Sequence, residues 1–222
     1  MNSIAFNACS TVLRAVILCF LLTTAGCSVP GPAARLAAFD FGPGPLTAAP
    51  AEHDPRLPAV IIEVVQTNPA LDRTDMLYRL AYLDPHQSRP YAQARWSMSP
   101  ALLVRERLRG YLGQHRTVLS PGQAQPRSAA AADRPAPWTL QVELEEFSQL
   151  FSTPQSSVGL LRLRATLTQG SAASGAKVLQ RHLIIQRPAP SADAAGGVRA
   201  MILATDAAAQ ELDNWLRESG TH

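Results

Sequence analysis

Hydrophobic and polar residues alternate most regularly in the second half of the chain. In residues 138–144 every second side chain is hydrophobic, and the same alternation returns in residues 161–167. A period of two is typical of a β-strand that buries one face. Turn-forming residues, 152–156, separate the two runs, so the pattern predicts a β-hairpin.

The alternation breaks once, at Glu145-Glu146, where the hydrophobic positions shift by one residue. Such a shift predicts a β-bulge in the first strand of the hairpin. On the polar face, we expect Glu143 and Glu145 to lie opposite Arg164 and Arg162. If exposed, each of these pairs would contribute well under about 1 kcal/mol.

Four further segments have the composition of strands. Residues 59–66 form a nearly continuous β-branched run, which predicts a central strand buried on both faces. Residues 76–80 alternate in hydrophobicity, and residues 178–187 are expected to extend the hairpin as a third strand. In residues 39–42, two aromatic side chains on one face predict a short edge strand.

Two segments follow the helical period instead. Ser99-Pro100 is a favourable helix start, and hydrophobic residues then recur at helical spacing up to Gly113. Residues 198–216 carry the longest hydrophobic stripe, preceded by a predicted loop at 188–197. Together these elements predict one α+β domain, with a mostly antiparallel sheet of about five strands and two main helices packed on one face.

The first 26 residues are built like an export signal. Arg14 precedes the short apolar run 15–22, and small residues follow it up to Gly26. A helix that spans a bilayer needs about 20 apolar residues. The run therefore predicts a cleaved signal peptide at residues 1–26 rather than a membrane span.

Cys27 follows that signal directly. Ala-Gly-Cys after an apolar run resembles the lipobox of bacterial lipoproteins, although Thr24 stands where a leucine is usual. The resemblance implies cleavage before Cys27, its acylation and stable membrane anchoring. Ser28, in place of an aspartate that would favour the inner membrane, indicates the outer membrane, with the protein facing the periplasm. The alternative is an ordinary secretory signal with a chance cysteine.

Composition separates a tether from the folded domain. Residues 27–57 are rich in proline and predict a semi-rigid tether, which leaves residues 58–222 for the α+β domain. Because Cys9 and Cys19 lie in the signal, no disulfide or thiolate metal site is expected in the mature chain. The chain has 20 Lys and Arg against 17 Asp and Glu, with no basic block, which argues against nucleic acid as a partner.

No catalytic or cofactor motif stands out in the sequence. The Gly-x-Ser-x-Gly, Walker A and dinucleotide-binding patterns are absent, and no two histidines have metal-ligand spacing. Asp72, Asp75 and Asp84 lie near Tyr78 and Arg79, either as a carboxylate pair or as loop caps and salt bridges. We therefore predict that the protein is not an enzyme and needs no metal or cofactor.

Four landmarks occur in an order that resembles a known family. They are Leu71-Asp72, Tyr78-Arg79, the segment Tyr91–Trp96 and the strand Leu140–Phe147. A lipobox precedes them, and a helix that ends in Trp215-Leu216 follows. In these features nearly the whole mature chain is similar to the ABC-type transport auxiliary lipoproteins, which include the paraquat-inducible C lipoproteins. The connection at 120–137 is longer than is usual in that family.

The resemblance implies a function that composition does not. Such lipoproteins accompany ABC systems made of a permease, an ATPase and a substrate-binding protein with a mammalian-cell-entry (MCE) domain. These systems move lipids between the inner and outer membranes. The lipoprotein has no enzymatic role there; it docks at the outer membrane or forms a homo-oligomeric ring.

Within that interpretation, Tyr91, Arg95 and Trp96, together with Tyr78 and Arg79, are the predicted partner-binding residues. Tyrosine, arginine and tryptophan dominate the energetics of protein interfaces. The alternative places Trp96 in the core at the start of the first helix, with Arg95 in a salt bridge.

The sequence alone does not exclude two other functions. A lipoprotein on a proline-rich tether could instead activate a cell-wall enzyme or assemble a secretion complex, because a fold does not decide a function. A membrane-anchored hydrolase is the other alternative. Neighbouring genes for a permease, an ATPase and an MCE protein would favour transport, whereas an enzyme would show a pocket with converging polar groups and shifted pKa values.

Overall fold

A computed structural model describes residues 36–44, 53, 57–122, 136–170 and 175–220. The predicted signal peptide, the predicted lipobox with Cys27 and most of the predicted tether lie outside these residues. The described strands are β1 Ala37–Phe39, β2 Val60–Ile62, β3 Gln66–Thr67, β4 Asp75–Leu80, β5 Asp84–Trp96, β6 Val118–Leu119, β7 Trp138–Thr153, β8 Ser156–Gln169 and β9 Lys177–Pro188. The described helices are α1 Pro100–Leu112 and α2 Ala194–Gly220.

The predicted α+β class is confirmed, but the predicted sheet is wrong in size and direction. All nine described strands belong to one sheet, which mixes parallel and antiparallel pairs. The long strand β7 is its centre: β8 runs antiparallel along one edge, and β2, β3 and β4 follow one another in parallel along the other. Because several short strands share one long neighbour, the sheet gains parallel pairs that no local pattern specifies.

The remaining strands extend this sheet on both sides of β7. Strand β9 pairs antiparallel with β8, as predicted for the third strand of the meander. Beyond β4, the strand β5 pairs antiparallel and β1 pairs parallel, while β6 lies beside β2. The edge strand predicted at residues 39–42 exists but lies earlier in the chain: β1 ends at Phe39, and residues 40–42 are outside it.

The hairpin β7–β8 matches its sequence pattern closely. The register shifts between Leu144 and Glu146, which confirms the predicted bulge. Arg164 binds both Glu143 and Glu145, with nitrogen–oxygen distances of 3.2 and 2.9 Å. The expected pair between Glu145 and Arg162 is wrong, because the bulge places Glu146 opposite Arg162.

Residues 59–66 do not form the predicted continuous strand. They divide into β2 and the start of β3, separated by residues 63–65. Val60, Ile62 and Val65 are buried, whereas Val64 is exposed. The segment therefore makes two short pairings with β7, and the prediction of burial on both faces is wrong, because Val64 is exposed.

Both helices contribute to the core on one face of the sheet. Helix α2 packs on β7, β8 and β9, and α1 packs against α2. At Gly159 of β8, an added Cβ would lie 2.8 Å from the backbone of Ala200 and Met201, so α2 crosses the strand in direct contact. The side chains of Leu108, Trp138 and Leu212 join in one buried cluster.

The helix boundaries correct two details of the sequence interpretation. Helix α1 begins at Pro100 as predicted, but the Ser99 side chain makes no cap, and its backbone carbonyl accepts from Leu102 and Leu103 instead. Helix α2 begins at Ala194, four residues before its hydrophobic stripe. Asp193 caps it, since its Oδ1 accepts the Gly196 N–H at 2.7 Å.

Charged groups are buried where α1 ends near α2. Arg116 donates to Asp213 Oδ1 at 2.7 Å, and Arg217 donates to Asp213 Oδ2 at 2.9 Å. Because Asp213 is paired with two guanidinium groups, its burial does not leave an isolated charge. In the part of the chain that the structure describes, neither helix has a stretch long and apolar enough to cross a membrane.

Candidate partner-binding surface

The five predicted partner-binding residues all lie in the hairpin β4–β5. Tyr78 and Arg79 belong to β4, and Tyr91, Arg95 and Trp96 belong to β5. The sheet therefore brings them onto neighbouring strands. Their side chains, however, do not form one exposed surface, and each has a different environment.

Trp96 is a core residue. It is buried between the rings of Phe41 and Phe147, with centroid distances of 5.9 and 5.4 Å. This is the environment of the alternative interpretation, in which Trp96 fills the core beside the first helix. A partner cannot reach the indole without unfolding this region.

Tyr78 and Tyr91 form a half-buried pair under the start of α2. Their ring centroids are 4.7 Å apart, and the Tyr91 hydroxyl donates to Gln149 Oε1 at 2.8 Å. Gln149 in turn donates to Ser157 Oγ at 2.8 Å. Burial, with a smaller contribution from Tyr78, raises the pKa of the Tyr91 phenol well above its usual value. These contacts give the two tyrosines a role in joining the hairpins.

Arg79 ties the hairpin β4–β5 to the central strand. Its guanidinium donates to both carboxylate oxygens of Glu146, at 3.2 and 3.0 Å. Its Nη1 also donates to the backbone carbonyls of Pro85 and His86 at 3.3 and 3.2 Å. Arg79 is therefore committed to contacts within the protein and holds the turn between β4 and β5.

Arg95 is the exposed member of the five. It lies in register with Asp75 of β4 and Ala38 of β1. Among the described residues it has no ion pair within 4 Å, so the predicted salt bridge is not seen there. Arg95 is thus the one predicted residue whose charged group is available to a partner.

A second site, which the sequence interpretation missed, is a cleft of about 600 Å³ beside α1. Residues 40–44 form one wall and an outer face of α1 forms the other, with Met98 between them. Phe41 and Tyr111 give it aromatic surface. The two walls are about 60 positions apart in sequence, and no local pattern indicates that they meet.

The polar groups of this cleft are mostly acidic. Asp40, Glu106 and Asp206 supply three carboxylates against the guanidinium of Arg107. Arg107 Nη2 donates to Asp206 Oδ2 at 2.8 Å, and this hydrogen bond raises the pKa of Arg107. The wall is held by Asp40 Oδ1, which accepts the Gly42 N–H at 2.8 Å. Glu106 in turn binds Arg105 at 3.0 Å, so two of the three carboxylates already have a cationic partner and the net negative charge of the cleft comes from Asp40.

The described residues offer little for metal chemistry. No three His, Cys, Asp or Glu side chains within the described ranges are grouped so that they could hold a metal ion. The features that do stand out are the cleft and the exposed side of the hairpin β4–β5, and both are candidate surfaces for binding another protein.

The fold has relatives among solved structures. Protein XCC0632 from Xanthomonas campestris, of family DUF330, is 17% identical, with a TM-score of 0.58 over 76% of this chain and 91% of its own. An uncharacterized protein is 16% identical, with a TM-score of 0.53 over 72% of this chain and 91% of its own. At this identity the likeness shows the fold alone. No curated protein matches the sequence.

The sequence also matches a protein family directly. The family described as the ABC-type transport auxiliary lipoprotein component matches residues 40–212, which include β4, β5, α1 and the meander from β7 to β9. The match includes both walls of the cleft. The chain therefore belongs to the ABC-type transport auxiliary lipoprotein family.

Proposed function

We propose that this lipoprotein is a non-enzymatic component of an MCE-type ABC transport system that moves lipids between the inner and outer membranes. The family match over residues 40–212 is the observation that carries this proposal. The lipoprotein acts by docking to the MCE-domain protein, which links it to the permease and the ATPase. A ring of several copies is one form that this docking takes.

Membrane anchoring in this proposal depends on the acylation of Cys27. The short apolar run before it and the small residues at 25–26 fit lipoprotein processing, and Ser28 favours the outer membrane. Acylation with more than one chain makes anchoring stable, whereas a single chain binds only marginally. A Cys27→Ala variant is expected to lose incorporation of labelled palmitate and to leave the membrane fraction. Retained palmitate in this variant would contradict acylation at Cys27.

The proposed docking site for the MCE protein is the cleft beside α1. Three carboxylates and two aromatic rings line it; Asp206 is paired with Arg107 and Glu106 with Arg105, which leaves Asp40 as the source of net negative charge. A basic segment of the MCE protein would gain favourable charge interactions there, and the aromatic rings would pack on its apolar stems. Arg95, which is not among the residues that line the cleft, is a second point of contact in this proposal.

Photo-crosslinking in the cell envelope tests the docking site. Met98 lines the cleft and is 38% exposed, whereas Leu102 is 39% exposed and is not among the lining residues, so the two positions form a matched pair. A benzophenone amino acid at position 98, but not at 102, is expected to capture the MCE protein, as identified by mass spectrometry.

Other products of the same experiment have distinct meanings. An MCE protein captured from position 102 alone, or only from a probe near Arg95, would move the docking site but keep the transport role. Capture of a cell-wall synthase or a secretion component, with no MCE protein from any position, would contradict the transport role.

A further inference from the structure

Two exposed hydrophobic side chains occupy the turn between β4 and β5. Tyr82 is 41% exposed and Leu83 is 66% exposed. We call this turn, residues 81–83, the tip. The turn between β7 and β8 is different, since its exposed residues at 152–156 are mostly polar. The fold does not need hydrophobic residues at the tip, because neither side chain belongs to the core cluster of the described residues.

The tip is held in one conformation by the residues around it. The Ala81 N–H donates to the Phe151 carbonyl at 2.9 Å, and the Leu83 N–H donates to the Leu80 carbonyl at 2.9 Å. Asp84 Oδ1 accepts the His86 N–H at 2.8 Å. Arg79 binds the carbonyls that follow the turn. A tip that is already ordered loses little conformational entropy when it binds.

The direction of β1 relates the tip to the amino-terminal end of the described chain. Ala37 pairs with Ala94 and Phe39 pairs with Trp96, so β1 runs parallel to β5. The start of β1 therefore points along β5 toward Asp84, the residue that follows the tip. Leu36, immediately before β1, is exposed.

The tether is long enough to reach the level of the tip in this direction. Nine residues lead from Cys27 to Leu36, and nine extended residues reach at most about 30 Å. Because the register of β5 shifts twice against β4, Asp84 lies opposite Leu80 and Arg95 lies opposite Asp75, so this part of β5 spans only the length of five β4 residues, about 17 Å. The reach of the tether therefore exceeds the distance from the start of β1 to the tip.

From these observations we propose that the tip inserts Tyr82 and Leu83 into the interface of the bilayer that holds the acyl chains of Cys27. This inference rests on the acylation of Cys27 in the proposed function. The tether limits the height of the sheet above the bilayer, and the tip is the part of the described hairpin that faces it. Tyrosine favours the interface between water and lipid, and leucine favours the hydrocarbon below it.

The insertion fixes the orientation of the sheet on the membrane. An acyl anchor alone leaves the protein free to rotate about its tether, whereas a second contact restricts it. With the tip in the bilayer, Val178 at the opposite end of the meander is held far from the lipid. Measured along β7, the tip and Val178 are about 12 residues apart, which corresponds to about 40 Å.

A single environment-sensitive fluorophore tests this orientation in the full acylated chain. The processed protein has Cys27 as its one natural cysteine, and acylation blocks that thiol. A Leu83→Cys variant therefore accepts one label, and Val178→Cys is the control, because Val178 is also hydrophobic and 59% exposed. Both labelled proteins are incorporated into vesicles of phosphatidylethanolamine and phosphatidylglycerol, with and without brominated lipid.

The label at position 83 is expected to shift its emission to the blue and to lose most of its intensity to brominated lipid. The label at position 178 is expected to do neither. If both labels stay unquenched while the protein floats with the vesicles, anchoring at Cys27 is supported and the tip proposal is overturned. A blue shift at 83 without quenching by brominated lipid would also overturn it, since a protein then covers the tip.

Failure of the acylation itself is recognised separately. A protein that does not float with the vesicles and lacks the mass of the acyl chains refutes anchoring at Cys27, and the tip proposal with it. Circular dichroism of both variants verifies that labelling leaves the fold intact, as expected for two exposed positions.

Discussion

The hairpins β7–β8 and β4–β5 lie side by side in one sheet but differ in what their side chains do. In β7–β8, alternate residues of both strands are buried under α2, from Trp138 and Leu140 to Leu161 and Leu163. In β4–β5, most of the thirteen residues of β5 are exposed, and its contacts with the rest of the protein concentrate at Tyr91, Ala94 and Trp96.

This difference shows at which positions the core requires a hydrophobic side chain and at which positions it does not. Every second residue of β7–β8 must be hydrophobic to cover the core. The outer half of β4–β5 has no such requirement, so Tyr82 and Leu83 at its tip need another reason to be hydrophobic. The hairpin is nevertheless rigid, because Arg79 connects it to Glu146 of β7.

The largest expected effect is a difference in stability between variants of the two hairpins. Leu163→Ala removes a fully buried side chain of β8 and is expected to lower the free energy of unfolding by about 2–5 kcal/mol. Leu83→Ala, the same chemical change at the exposed tip, is expected to change it by less than about 0.5 kcal/mol. Urea denaturation of both variants measures the contrast. Equal losses would show that the tip is part of the core.

A smaller effect is expected where α2 lies on β8. In Gly159→Ala, the new methyl group would lie 2.8 Å from the α2 backbone, so the helix must shift, at a cost of about 1–3 kcal/mol. Gly220→Ala is the control, because its new methyl group meets only Pro58, at 3.4 Å. Thermal unfolding compares them. An unchanged melting temperature for Gly159→Ala would mean that α2 does not contact β8 so closely.

The connection between the hairpins is tested by Arg79→Met. The change removes a partly buried bidentate ion pair and is expected to cost about 1–3 kcal/mol. Faster hydrogen exchange at the Leu83 amide is also expected, because the turn loses two of its carbonyl contacts. Arg73→Met breaks an exposed pair with Asp75 and should cost less than about 0.5 kcal/mol. Unaltered exchange at the tip in Arg79→Met would refute the positioning role of Arg79.

The smallest effect concerns the start of α2, above the junction of the hairpins. The hydrogen bond from the Gly196 N–H, then that from Ser191, lowers the pKa of Asp193 from its ordinary 3.8. A lowered pKa means that this contribution to stability is fully present above pH 3.8 and is lost as the pH falls through the folded-state value. Removing the cap by Asp193→Ala is expected to cost about 1 kcal/mol at pH 7.

Asp193→Asn distinguishes charge from hydrogen bonding at this cap. Asparagine caps helices about as well as aspartate but does not titrate in acid. The variant should keep most of the stability at pH 7 and lose less of it than the natural protein below pH 3.8. Identical acid dependence in the two proteins, measured by thermal unfolding, would assign the acid sensitivity to other carboxylates.

Sequence reasoning succeeded where a residue's role depends on its near neighbours. The bulge at Glu145, the strand 177–188 and the start of α1 follow from local periodicity and turn chemistry. Strand β5 was not predicted, because it contains Pro85 and Pro90 and buries few side chains. The start of α2 was placed too late, since Gly196-Gly197 resembles a loop.

That glycine pair illustrates the limit of local reasoning. A Cβ at Gly197 would overlap the Gln149 amide, which Tyr91 and Ser157 hold in place, so glycine lets the helix approach a strand almost 50 residues earlier. The environment of a candidate site residue could not be predicted from its near neighbours either. Trp96 resembles an interface residue in sequence, and only the rings of Phe41 and Phe147 show that it is a core residue.

Hydrophobic periodicity is a local property, and it was sufficient to predict the α+β class, the meander of β7, β8 and β9, and the two helices. The ordered landmarks in the sequence also indicated the family that the direct match shows. The parallel pairings along β7, the cleft between residues 40–44 and α1, and the exposure of the tip became visible only in the folded structure. Each of these depends on contacts between segments far apart in sequence, whose relative positions are fixed only when the whole core packs.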